Sequence, residues 1–294
     1  MATLDGIEHR HVRTNGIQLH CAMAGDGPLV VLLHGFPEFW YSWRHQIPVL
    51  ARRHRVVAPD LRGYGDSDRP SGIESYRLPT LVADIEGLIA ALGESSAIVV
   101  GHDWGGGVAW FLALDRPALV RRLAILNMPH PACFARELRR NPRQLLKSWY
   151  VFFFQLPWLP ETLLGLRHAQ GIGDAMRRAT VRPGAVTAED VDAYREAASQ
   201  PGALTAALNY YRAALRHPDP RVRQPPDAWP KIQMPTLVIW GEQDIALRKE
   251  LTVGMEPYFE APLTLRYVPD AGHFVHLDRP DLVNEWLAEF CAGA

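Results

Sequence analysis

Short apolar runs alternate with segments of helical period along the first 126 residues of this chain. Leu29–Leu33 is wholly apolar, the pattern of a strand buried on both faces of a parallel sheet. Arg55–Ala58, Ala97–Val100 and Leu123–Leu126 repeat the short-strand signal. Between these runs, Phe39–Ala51 reads as a helix, and Leu81–Leu92 as another that follows Pro79-Thr80. A third helix follows the 97–100 run and reaches about Leu114. The N-terminus differs. His9–Arg13 and Gln18–Ala24 flank Asn15-Gly16, whose residues accept the left-handed conformations of a type I′ turn, so a hairpin is expected. Strands alternating with helices predict an α/β fold with a mostly parallel, doubly wound sheet.

The alternation breaks near Asn127-Met128-Pro129-His130. From Cys133 to Arg223 the pattern is helical, and Thr187-Ala188-Glu189-Asp190 has the form of a helix start. Pro225-Pro226 marks a hinge. Strand patterns resume at Thr236–Trp240 and Leu263–Val268, and an amphipathic helix, Pro280–Phe290, closes the sequence. The expected division is a core of residues 1–132 and 229–294, interrupted by an all-helical cap of residues 133–228.

Composition narrows the function classes. The 294 residues are 48% hydrophobic and 21% charged, with a formal net charge of -1, so neither nucleic acid nor an anionic membrane surface is an expected partner. Cys21, Cys133 and Cys291 are widely spaced and odd in number; they form no zinc motif or disulfide framework and are expected to be reduced. No stretch approaches the roughly 18 apolar residues of a membrane span, and Met1–Gln18 has no apolar signal core. A soluble cytoplasmic protein with no metal or organic cofactor is the expectation. Oligomeric state is not readable; a homodimer stays open.

The chemistry is concentrated at three strand ends. Gly101-His102-Asp103-Trp104-Gly105 follows an apolar run and precedes a helix, the context in which hydrolases place a nucleophile on a tight turn. Here the nucleophile position holds Asp103. A carboxylate suits attack on a saturated electrophilic carbon, which gives an alkyl ester that water must cleave. Asp244, in Gly241-Glu242-Gln243-Asp244, and His273, in Gly272-His273-Phe274, each follow a later strand. The order nucleophile, acid, base and the placement beyond carboxyl ends of strands fit a catalytic triad. His34-Gly35-Phe36-Pro37 offers backbone N–H groups which, with that of Trp104, suit an oxyanion hole.

These segments, with Asp60-Leu61-Arg62-Gly63-Tyr64-Gly65-Asp66-Ser67, resemble the epoxide hydrolases of the α/β-hydrolase superfamily along nearly the whole chain. The resemblance implies an α/β-hydrolase fold with a helical cap, a cis peptide at Phe36-Pro37, and a small-molecule epoxide and water as substrates. It also implies that Tyr150, five residues before Gln155, and Tyr211, in Leu208-Asn209-Tyr210-Tyr211-Arg212, hydrogen-bond the epoxide oxygen and protonate it. Adjacent helical residues point about 100° apart, so one of Tyr210 and Tyr211 faces the site and the other packs. Phe36, Trp104, Phe152 and Phe153 are candidate substrate contacts. Together with Trp158, Leu159 and Met176 they suggest an aromatic or aliphatic epoxide.

Plainer readings compete at several positions. His34 and His102 read as loop-shaping groups and His276 as structural. Arg136, Arg139, Arg140, Arg143 and Lys147 read as a solvated helix face rather than an anion site. A haloalkane or haloacid dehalogenase would share Asp103 and His273. However, the haloalkane enzymes commonly have asparagine where this chain has Phe36, and a phenyl ring donates no hydrogen bond to halide; fluoroacetate dehalogenases typically have arginine where this chain has Trp104. A non-catalytic ligand-binding relative would need neither the full triad nor both tyrosines.

Overall fold

The computed structural model describes residues 6–140, 147, 149–225 and 228–293, with side chains assigned for all of these except residues 138–140. Eight strands form one sheet in the order β1-β2-β4-β3-β5-β6-β7-β8. They are β1 (Glu8–Thr14), β2 (Ile17–Ala24), β3 (Leu29–Leu33), β4 (Arg55–Pro59), β5 (Ala97–His102), β6 (Val120–Leu126), β7 (Thr236–Gly241) and β8 (Leu263–Val268). β2 runs antiparallel to β1 and β4; the remaining pairs are parallel. The expected hairpin is present, with Asn15 and Gly16 both at positive φ.

The helices in chain order are α1 (Ile47–Leu50), α2 (Leu78–Ala91), α3 (Asp103–Asp115), α4 (Pro131–Arg140), α5 (Trp149–Phe153), α6 (Leu159–Ala179), α7 (Ala188–Ser199), α8 (Ala203–Arg216), α9 (Val275–Asp278) and α10 (Pro280–Ala292). The helix expected over Phe39–Ala51 is instead a 3₁₀ turn, Trp40–Trp43, followed by the single turn α1. Pro48 is the reason: it has no N–H to donate and fits only the first turn of a helix, which therefore begins at Ile47. Pro79 likewise sits in the first turn of α2, which starts at Leu78, three residues before the expected Leu81. Asp190 and Thr187 form a reciprocal capping box that starts α7.

Two apolar clusters fill the sheet's faces. One joins Val31, Val99 and Ile125 to α2 and α3; the other joins Val30, Ile98 and Leu126 to α1, α9 and α10. Between β6 and β7 the described residues form helices and loops and no strand, apart from an isolated bridge of Ile232 with Phe259. Pro226 of the expected hinge and Arg143 of the basic cluster lie outside the described residues, as do the side chains of Arg139 and Arg140. The three cysteines are buried and free. Among the described residues no helix is long and apolar enough to cross a membrane.

Candidate active site

The turn from β5 into α3 places Asp103 at φ 46°, a left-handed conformation that a non-glycine residue adopts at an expense of about 1–3 kcal/mol. Close packing holds it there. A Cβ on Gly35 would lie 2.4 Å from the Asp103 Cβ, and one on Gly105 would lie 2.2 Å from the Leu33 carbonyl oxygen. Only glycine permits the β3 loop and the start of α3 to meet this closely. The Phe36-Pro37 peptide is cis.

Asp103 Oδ1 accepts the Phe36 backbone N–H at 2.9 Å. Oδ2 stands 3.5 Å from His273 Nε2. The Trp104 N–H lies in the first turn of α3, where backbone donors have no partner within the helix. His273 Nδ1 meets Asp244 Oδ2 at 2.7 Å. Asp244 Oδ1 accepts the backbone N–H groups of Ala246 and Leu247 at 2.7 and 2.8 Å. The three expected triad residues thus converge from β5, β7 and β8.

Electrostatics follow from these contacts. Burial alone would depress the His273 pKa, but the carboxylates of Asp244 and Asp103 outweigh it and hold the imidazole well above its ordinary value. Burial pushes the Asp244 carboxyl upward. His273, the Leu247 N–H and Asn127 reverse that effect and leave it below its ordinary value.

Above the triad sit two phenols from the cap. The Tyr211 ring lies 5.1 Å from Trp104, 5.5 Å from Phe36 and 5.9 Å from Tyr150, centroid to centroid. Burial raises both phenol pKa values, and the Asp103 carboxylate raises them further, so both hydroxyls remain protonated donors. Tyr210 points elsewhere: its hydroxyl donates to the Arg62 carbonyl at 2.8 Å. Gln155 donates to the Tyr211 carbonyl at 3.2 Å, tying α5's exit to α8.

The aromatic contacts expected from the cap need correction. Phe152 is 52% exposed and Trp158 71% exposed, so neither lines the site. The helical period explains it: Tyr150 and Phe154 stand four residues apart on one face, and Phe152 projects to the opposite one. Phe154 packs on Tyr211 at 5.0 Å and on Phe36 at 5.8 Å. Phe153 is part-buried beside Phe154, and Met176 is buried in the core–cap packing instead.

Two residues outside the expected set hold the site together. Asn127 donates to Asp244 Oδ2 at 2.8 Å and accepts the Gly241 N–H at 3.0 Å. Its signal was an amide directly after β6. Glu38 follows the His34–Pro37 loop and is fully buried. It accepts the Gly35 N–H at 2.8 Å and meets His102 Nδ1 at 2.7 Å and His276 Nε2 at 3.0 Å. Burial opposes its ionisation, but the two imidazoles overcome this and hold its pKa well below ordinary. Its signal was a charged residue amid Phe36, Pro37, Phe39 and Trp40. His102 Nε2 donates to the His273 carbonyl at 2.9 Å, so this cluster spans the loops that carry Asp103 and His273. Glu38, His102 and His276 have the composition of a metal site. Their facing atoms are, however, already engaged with one another and with backbone. His34 accepts the Leu61 N–H through Nε2 and donates from Nδ1 to the Gly35 carbonyl, which fixes its tautomer.

The architecture agrees with known proteins. The family model described as the alpha/beta hydrolase fold matches residues 28–280. The AB hydrolase superfamily protein YfhM of Bacillus subtilis (strain 168) is 44% identical over 290 residues, covering 98% of this chain and 99% of its own. Epoxide hydrolase 4 of Homo sapiens is 38% identical, covering 95% of this chain and 77% of its own. A crystal structure of Bacillus megaterium epoxide hydrolase in complex with an inhibitor superposes with a TM-score of 0.89 at 35% identity, covering 96% of this chain and 100% of that one. The chain belongs to the α/β-hydrolase fold family. Within it, the chain groups with relatives named as epoxide hydrolases, and it is a hydrolase.

Proposed function

We propose that the protein is an epoxide hydrolase that forms a covalent ester on Asp103. The carrying observation is an elbow aspartate beneath two cap phenols, Tyr211 buried and Tyr150 part-buried, whose pKa values its carboxylate raises. Asp103 Oδ2, the oxygen on the His273 side, attacks one ring carbon. The carbon–oxygen bond of the epoxide breaks as Tyr150 and Tyr211 donate hydrogen bonds to the departing oxygen and one of them supplies its proton. Oδ1 remains against the Phe36 N–H as the ester carbonyl. His273 then takes a proton from water, which attacks the ester carbon. The charge collects on Oδ1 and is held by the Phe36 and Trp104 N–H groups. Asp244 orients the imidazole and balances its charge. Collapse breaks the bond from the ester carbon to Oδ2, the imidazolium returns its proton to the departing alkoxide to complete the vicinal diol, and the proton of the regenerated Asp103 acid passes through solvent to restore the phenol. Residues 133–228 act as the cap that brings the phenols to the core. Phe36, Trp104, Phe153 and Phe154 line the apolar wall, which suits an aromatic or aliphatic epoxide.

The test uses His273→Gln with styrene oxide. This variant alkylates and does not hydrolyse, so the expected result is a peptide containing Asp103 heavier by one substrate. Wild-type enzyme should give diol from styrene oxide and phenyl glycidyl ether and negligible halide from 1-chlorobutane. Halide release at a rate matching epoxide turnover overturns the reading. So does direct entry of labelled oxygen from water into the diol during the first turnover.

A further inference from the structure

Large exposed apolar side chains are not scattered evenly over this molecule. Of the eleven among the described residues, six fall in one stretch: Trp149, Phe152, Leu156, Trp158, Leu163 and Leu166. Singly, such residues are ordinary on a protein surface; gathered together they indicate a contact face. The stretch runs through α5, the turn after it and the first part of α6. α5 is apolar on both faces. Tyr150 and Phe154 pack on Tyr211, while Trp149 and Phe152 are exposed. A helix that is apolar all round is normally covered on both sides. The turn beyond it is held in place by Arg212, which donates to the carbonyls of Phe154 and Leu156 at 2.9 and 2.8 Å.

Charge selects the occupant. Glu161 is the one acidic residue between positions 149 and 168, and Arg212 neutralises it at 2.6 and 3.1 Å. Arg167 and His168 end the stretch and are exposed. Arg216, exposed in the last turn of α8, donates to the Gln155 carbonyl at 3.2 Å and so stands beside the same turn. Its neighbour Leu215 is exposed as well. No carboxylate among the described residues pairs with Arg167 or Arg216.

We infer that Trp149–Leu166 docks on the surface of a lipid bilayer that contains anionic headgroups. The tryptophan, phenylalanine and leucine side chains enter the interface, and Arg167, His168 and Arg216 meet the phosphates. Tryptophan favours the headgroup level because its ring is apolar and its N–H is polar. Apolar side chains bordered by basic ones are the composition of segments that lie in the interface plane. The formal net charge of -1 averages over the whole chain. Attraction to a bilayer is instead local and acts within a Debye length of about 10 Å. α5 carries both the outward Phe152 and the inward Tyr150, so the docked surface lies one helix away from the phenols.

The experiment is flotation of the full-length protein with vesicles of phosphatidylcholine and phosphatidylglycerol in a three-to-one mixture, and with vesicles of phosphatidylcholine alone. The wild-type protein should float with the mixed vesicles and be released by high salt. Phe152→Glu and Trp158→Asp should each weaken binding by about tenfold or more. Arg216→Glu should weaken it by about fivefold or more on the mixed vesicles. Thr264→Glu makes the same charge change as Phe152→Glu on the exposed surface of β8 and should leave binding unchanged. All four positions are exposed, so melting temperatures should match the wild type and separate lost binding from lost folding. Vesicle binding is read without turnover, so its outcome is independent of the reaction at Asp103. A wild-type protein that does not float with the mixed vesicles overturns the inference. So does wild-type flotation of the Phe152→Glu, Trp158→Asp double variant. A dimer in sedimentation velocity that Phe152→Glu dissociates would assign the face to a second copy of the chain and overturn it too.

Discussion

At the scale of single residues, the unusual group is His273. A general base must be neutral, yet this imidazole is held well above its ordinary pKa by two carboxylates. The proposed ester resolves the conflict. Alkylation removes the Asp103 charge, and with it one of the two interactions that favour the protonated ring. The base is therefore weaker in the ester than in the free enzyme and is released to accept a proton from water only after the nucleophile has acted. The expected outcome is a hydrolytic step that accelerates as pH rises through an apparent pKa lower than the one titrating in free enzyme. Single-turnover decay of the Asp103 ester across pH measures it, and an inflection at or above the free-enzyme value contradicts the account. The phenols make a second prediction. Tyr150→Phe and Tyr211→Phe each remove one hydroxyl and keep the ring packing. Each should slow alkylation by about 10–1,000-fold with little change in melting temperature. Tyr210→Phe breaks only the bond to the Arg62 carbonyl and should leave alkylation close to wild type. Equal damage at Tyr210 and Tyr211 would undo the assignment.

At the scale of elements, the sequence shows most where one cause acts locally. The five central strands are apolar on both faces, and their runs stood out without help. β8 begins and ends at the expected residues, and Asn15-Gly16 specified its hairpin by turn chemistry alone. The tight turn that carries Asp103 was readable because glycines, strand and helix crowd into five positions. What escaped depended on partners distant in the chain. Asn127 matters because Asp244 arrives 117 residues later. Phe154 replaces Phe152 because α5 turns one face toward Tyr211, which its own period does not specify. The break within α6 was equally hidden. Arg167, His168 and Ala169 all have positive φ, each at an expense of about 1–2 kcal/mol. The guanidinium of Arg195 on α7 offsets part of this by donating to the carbonyls of His168 and Arg167, both at 3.0 Å. Arg195→Ala should therefore destabilise the protein by about 1–2 kcal/mol, the scale of charge-assisted bonds partly screened by solvent. Arg195→Lys keeps one donor and should recover part of it. Chemical denaturation reads both, and an unaffected Arg195→Ala would show that the left-handed run is held by other contacts.

At the scale of the whole molecule, the proposed mechanism requires the helical insertion to stay docked, since the phenols come from it and the triad does not. One latch is legible in charge. Arg44, from the core segment after Trp43, pairs with Asp190 of α7 at 3.0 Å, and both side chains are nearly inaccessible. Tyr41 donates to the same carboxylate at 2.9 Å, and Ser42 and Tyr194 share a hydrogen bond of 2.9 Å beside it. A second latch is neutral on one side. Asp278 accepts the N–H groups of Val181 and Arg182 from the insertion and that of Gly272 beside the base. Burial opposes ionisation of Asp190, but the Thr187 N–H and Arg44 prevail and hold its pKa below the ordinary value. Its contribution to docking is therefore present above the unfolded carboxyl pKa of about 4 and is lost as pH falls through the lower folded value. Arg44→Leu removes one partner and leaves a buried charge, at an expense of about 3–5 kcal/mol. Adding Asp190→Asn removes that charge and should recover a large part. The functional consequence differs from that of a triad change. With the latch broken, alkylation should slow because Tyr150 and Tyr211 are no longer held over Asp103, while hydrolysis of an ester already formed should change less. Melting curves and single-turnover rates on the single and double variants separate these effects. A double variant no more stable than Arg44→Leu would show that the pair does not fasten the insertion to the core.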